Sequence, residues 1–134
     1  MERYLKLFLT VAGYFLIFDM LWLLVISKGF YQKHLGELMG QANLVPAVIF
    51  YLIYVVGIVF FVVNPALLKD SAVYAALVGA FLGFLCYATY DLTNLATLKD
   101  WPVIVTVVDL VWGTSVTAAV SWLTVLTATY FKWG

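Results

Sequence analysis

Residues 83–113 read GFLCYATYDLTNLATLKDWPVIVTVVDLVWG, two apolar runs joined at Lys99-Asp100-Trp101-Pro102, each carrying one acid, Asp91 or Asp109. Proline suits a helix start and not a helix interior. The joint therefore predicts a tight turn with Asp100 as cap and Pro102 opening the next helix. Extended outward, the runs cover residues 72–98 and 102–131. At about 1.5 Å per residue, roughly 20 residues cross a ~30 Å hydrocarbon core, and both runs exceed that. No Lys, Arg or His lies inside either run to neutralise its carboxyl group. A carboxylate at bilayer depth is unfavourable by ~2.5–3.5 kcal/mol on insertion scales, so each acid needs a shared proton, a polar neighbour or a bound cation.

The rest of the chain fits the same solvent. Of 134 residues, 66% are hydrophobic and only 10% charged, far too few charges for a surface facing water. Mean hydropathy is +1.06. Seven basic residues balance seven acidic ones, which removes any electrostatic case for nucleic acid. The single cysteine, Cys86, excludes an internal disulfide and a cysteine metal cage, and it reads as a small packing residue. Arg3 and Lys6 precede an apolar run that continues to Ile26. That is too long for a secretion signal, so it reads as an uncleaved first span.

The expected fold is all-α: one transmembrane domain, residues 1–134, forming a bundle of four transmembrane helices. The spans are about 4–27, 44–63, 72–98 and 102–131, with a loop at 28–43. Asn43 can cap the second helix with Pro46 in its first turn, and Asn64-Pro65 is expected to end it. In the loop, Phe30, Leu35, Leu38 and Met39 alternate with polar residues, which suggests an amphipathic turn or a plain connector on the membrane surface. His34, the only histidine, falls there as a solvated residue. Arg3, Lys6, Lys69 and Lys132 share one side against Lys28, Lys33 and Lys99 on the other. The positive-inside rule then places both termini in the cytoplasm.

This topology turns scattered acids into a layer. Asp19 lies eight residues before the end of its span, Asp91 seven before its end, and Asp109 seven after its start. Each is thus ~10–12 Å below the same membrane face. Tyr87, Tyr90, Asp91 and Asn94 share one stripe of the third helix, which continues as Ala76, Gly79, Ala80 and Gly83. Small residues of that kind let membrane helices approach closely, so the third helix is expected to be central. Thr106, Asp109, Gly113 and Thr117 make a comparable stripe on the fourth, with Trp112 beside Asp109; Phe15, Asp19, Trp22 and Ile26 line up on the first. Tyr51 and Tyr54 enter at about that depth from the second helix.

The run Tyr87-Ala-Thr-Tyr90-Asp91-Leu-Thr-Asn94-Leu-Ala-Thr-Leu98, then Trp101-Pro102 and Asp109-Leu-Val-Trp112-Gly113, resembles the signature of a bacterial membrane family catalogued as a domain of unknown function, family 2177. The Asp19/Trp22 segment and Asn64-Pro65-Ala66-Leu67 fit it too, so the resemblance spans nearly the whole chain. It implies a small four-helix inner-membrane protein and carries no activity, substrate or catalytic residue.

Function must come from the residues. Nucleophile triads, Gly-rich phosphate loops and His/Cys metal spacings are all missing from the sequence, and no cofactor or metal is expected. Three acids at one level without a base suit a proton, a cation or an amine better than mutual hydrogen-bond glue. One reading is therefore a binding or transport module. Asp91, Tyr87, Tyr90 and Asn94 would form a cation- or proton-responsive pocket with Asp19 and Asp109, and Trp22 and Trp112 would be aromatic walls for an amphipathic cation. A second is a membrane enzyme working on a lipid or isoprenoid by general acid–base chemistry. A third is a scaffold subunit of a larger membrane complex. Beyond the lipid bilayer, the expected partners are a small cationic or lipid ligand and a second copy, in a homodimer completing a shared pocket.

Overall fold

The computed structural model describes residues 2–22, 24 and 44–133. Helix α1 covers Glu2–Leu21. Helix α2 runs Leu44–Ile58, widens into a π turn over Val59–Val63 and continues as Asn64–Leu68. Helices α3 and α4 are Ala72–Thr97 and Val103–Tyr130. The described residues contain no strand. All four helices are long and apolar enough to cross a membrane. Their outer faces are apolar, with Leu9, Leu16, Phe60, Leu77, Phe81 and Val111 exposed. In lipid such faces are at no disadvantage, because each helix satisfies its own backbone polar groups. Ile26, His34, Asn43 and the rest of the expected 28–43 loop lie outside the described residues.

Two sequence expectations are corrected at helix ends. Asn64-Pro65 does not end α2. The Asn64 N–H reaches back to the Val59 carbonyl, and Pro65 sits in the first turn of the continuing α-helical stretch, where no N–H is required of it. The helix stops instead at Lys69-Asp70, where Asp70 turns left-handed (φ 52°) and the Asp70 and Ser71 amides close onto Leu67 and Ala66 at 3.2 and 3.0 Å. This is a Schellman cap built without glycine. Lys132 ends α4 in the same way, with Trp133 N–H donating to the Ala128 carbonyl at 2.8 Å. Nor does Asp100 cap α4. It is a left-handed turn residue (φ 65°), and Pro102 occupies the cap position with no side-chain bond.

The centre of the bundle is α4, not α3. Eleven residues of α4 are buried against four of α3 and three of α1. Helix α3 lies antiparallel against α4 in matched steps of four residues. Gly79 faces Ser121, Gly83 faces Thr117 and Gly113, and Tyr87 packs on Gly113. Asp91 meets Asp109, and Leu95 meets Val105 and Trp101. The α3 side of this seam is Ala75, Gly79, Gly83 and Asp91, while Ala76 and Ala80 are only half-buried. The glycines are what permit the approach. A Cβ at Gly83 would overlap the Gly113 carbonyl oxygen, and one at Gly79 would stand 2.7 Å from the Ser121 hydroxyl.

Helices α1 and α2 close the other side of α4 with aromatic packing. The Phe15 ring meets Tyr51 and Tyr54 edge-on, with centroids 5.6 and 5.4 Å apart. At the end carrying the N-terminus, Arg3 donates to the Asn64 side chain at 2.7 Å, Lys6 stands over Trp133, and Lys69 stands over Tyr74. Arg3, Lys6, Lys69 and Lys132 therefore share one end of the bundle.

Candidate functional site

The deciding geometry is at the turn end of the α3–α4 seam. Asp91 and Asp109 are each nine residues from Asp100, so the antiparallel register sets them opposite one another, and their carboxyl groups interact directly. Asp91 has no exposed surface and Asp109 only 6%. Neither carboxyl oxygen of Asp91 has a well-formed hydrogen bond from the described residues. Above the pair, the Trp101 indole N–H donates to the Thr106 hydroxyl at 3.1 Å, and the Tyr90 ring meets Trp101 edge-on. Trp101 thus packs on Leu95, Val105 and Thr106 at the turn end of the seam, a role its place in a turn had hidden.

The other expected site residues divide around this pair. Tyr87 covers Gly113 one turn below Asp91, and an Asn94 side chain serves the Tyr90 hydroxyl. Tyr90 is 59% exposed, so it stands at the outer rim, although the Asp91 and Asp109 carboxyl groups still act on it. Asp19 is half-buried and acts on Tyr51 and Tyr54 of α2. Among the described residues no three acidic, His or Cys side chains gather as a metal would need. Of the three acids expected in one layer, Asp91 and Asp109 interact with each other, and the interactions of Asp19 are with Tyr51 and Tyr54. Equal depth was counted along the helix axes, whereas Asp19 is rotated toward α2.

The two Asp-x-x-Trp segments do meet, but through their indoles. Trp22 and Trp112 stack face to face, with centroids 4.3 Å apart and planes 16° apart. Each ring fills the other's face, which closes the slot between them to a ligand. Beside the pair, Phe50, Cys86, Tyr87 and Tyr90 line an apolar lateral groove of about 330 Å³. Its described lining comes from α2 and α3.

Further along the seam, Tyr54 is buried and its hydroxyl meets the Thr117 hydroxyl at 2.6 Å. Ser121 and Thr124 come next, fully buried, with hydroxyls unpartnered among the described residues. Both were missed in the sequence. The signal was the four-residue step from Gly113 to Thr117, which arrives next at Ser121.

No curated protein and no solved structure matches the chain. The sequence model of one family does, over residues 4–126, and that family is described as a predicted membrane protein (DUF2177). With nearly all of its length inside that match, and with four helices of spanning length, the chain belongs to the DUF2177 family of predicted membrane proteins.

Proposed function

We propose that this membrane protein binds and passes a proton at the Asp91–Asp109 pair. One observation carries the reading: a carboxyl group with no exposed surface, no well-formed hydrogen bond among the described residues and a second carboxyl group as its interacting neighbour. Two carboxylates in contact in a low-dielectric interior cannot both stay ionised, so the pair is suited to hold a proton between them. A hard metal cation needs six or more oxygen ligands, which this pair does not offer by itself. The stacked Trp22 and Trp112 also argue against an amphipathic cation lodged between aromatic walls.

The lateral groove favours a second reading, in which a lipid chain enters beside the acids and a carboxyl group works on it. The groove wall weakens that reading, because Tyr87 and Tyr90 form it and Asp91 faces Asp109 instead. The gathering of Arg3, Lys6, Lys69 and Lys132 at one end supports an orientation with both termini in the cytoplasm of an inner membrane.

Purified protein reconstituted into vesicles enclosing a pH-sensitive dye tests the proposal. Under an imposed pH gradient the wild type is expected to move protons, and Asp91→Asn to fall to the leak of empty vesicles. Equal flux from both proteins refutes it. A changed lipid profile in an Asp109→Asn strain would instead promote the lipid reading.

A further inference from the structure

Of the four basic side chains at the end of the bundle that carries Arg3, three are already engaged. Arg3 donates to Asn64, Lys6 stands over the Trp133 ring and Lys69 over the Tyr74 ring. Lys132 instead lines a pocket of about 390 Å³, together with Leu67, Asp70, Ala128 and Thr129. That volume falls within the range of small-ligand sites. Two helix ends of the same design border it. Asp70 and Lys132 are the left-handed residues (φ 52° and 58°) that close α2 and α4, so each cap fixes the backbone of one charged residue. An acid and a base therefore share one pocket, and among the described residues no ion pair joins them.

The surroundings set the depth. Exposed Tyr130 and Phe131, with Trp133 stacked on Phe131, form the aromatic belt that marks lipid headgroup level. A ligand at that level meets a cation, an anion and an apolar wall at once. Asp70 opposes a purely anionic group, and Lys132 opposes a simple cation. A phosphoethanolamine group answers both. Its phosphodiester accepts hydrogen bonds from the Lys132 ammonium. Its primary ammonium donates to Asp70 and to the carbonyl ends of α2 and α4, where the helix dipoles are negative. We infer that the pocket between the α2 and α4 caps binds the headgroup of a phosphatidylethanolamine-type lipid, with Leu67 and Ala128 against its glycerol end. The site is independent of the acid pair, since Asp109 and Lys132 belong to opposite ends of α4.

Native mass spectrometry of the full chain, released from micelles holding equal amounts of three phospholipids, reads which one is retained. Phosphatidylcholine keeps the phosphate, but its quaternary ammonium has no N–H to donate. Phosphatidylglycerol keeps the phosphate and has no ammonium at all. Because both protein charges face water, phosphatidylethanolamine is expected about fivefold above either. Asp70→Asn should erase that preference, and Lys132→Asn should bring phosphatidylethanolamine down to the level of the others. Asparagine readily takes a left-handed backbone, so neither substitution strains its cap. Equal retention of the three lipids overturns the site. So does an excess of phosphatidylglycerol, the mark of a general attraction to the basic end, or a preference that survives both substitutions. Soluble glycerophosphoethanolamine, the same headgroup without chains, is then added at the concentration of the lipid. It is expected to leave the lipid in place, and displacement would overturn the lipid assignment in favour of a soluble ligand.

Discussion

The two sides of α4 treat polarity in opposite ways. Toward α1 and α2, polar groups find partners: Tyr14 pairs with Thr127, Tyr51 with the Ala12 carbonyl and Arg3 with Asn64, and Tyr54 reaches to the seam residue Thr117. Toward α3, backbones nearly touch at Gly79, Gly83 and Gly113, yet Asp91 and Ser121 are left without hydrogen bonds among the described residues, as is Thr124 one turn beyond Ser121. An unmatched polar group in a membrane protein costs stability and brings nothing to the fold. The paired side therefore reads as architecture, and the unpaired side as the place where stability has been given up for a task.

Substitutions can break this contrast, beginning with the most damaging. Gly83→Leu drives a side chain into the Gly113 carbonyl and Thr117, and overpacking against backbone is expected to lose at least about 3 kcal/mol. Equilibrium unfolding in detergent–lipid bicelles measures it, and a loss comparable to that at an outer-face position such as Leu77 would mean the seam is not close-packed. Asp91→Asn should go the other way. It removes a buried acid that has no well-formed hydrogen bond among the described residues, so stability should hold or rise by up to about 1–2 kcal/mol while vesicle flux is lost. A marked destabilisation would show that the acid is structural after all.

On the matched side the effects are smaller. Tyr54→Phe deletes one partner of a buried hydroxyl pair, and about 1 kcal/mol is expected. A cycle with Thr117→Val should return a coupling of ~0.6 kcal/mol, the average for membrane hydrogen bonds; zero coupling would dissolve the distinction between the two sides. Tyr14→Phe should cost less than about 0.6 kcal/mol, because Thr127 keeps its bond to the Leu123 carbonyl. Thermal unfolding in the same bicelles resolves that last difference.

What the sequence disclosed was axial, and what it concealed was rotational. The turn at Lys99–Pro102 and the equal spacing of Asp91 and Asp109 from it were enough to set those acids at one level. Counting residues along an axis says nothing of azimuth, so Asp19 was drawn into their layer although it turns toward Tyr51 and Tyr54. The same blindness chose Ala76 and Ala80 for the seam, where Ala75 is the buried neighbour of Gly79. Centrality was misjudged because α3 carries the glycines. Those glycines are there to admit α4, whose own small polar residues (Thr117, Ser121, Thr124) are less conspicuous in a hydropathy pattern.

The π turn of α2 has a consequence for chain length. Buried residues on this helix recur at Tyr54, Ile58, Val62 and Ala66, and beside them at Val55, Val59 and Val63, a repeat of four that an unbroken α-helix would carry steadily around its axis. The wider turn at Val59–Val63 takes up that drift and keeps one flank buried throughout. Such a turn is a helix that has accepted one extra residue without rotating the stretch beyond it. Removing lipid-facing Phe60 would restore an ordinary spacing of three and four, so this helix can be shortened by one amino acid and still present the same flank.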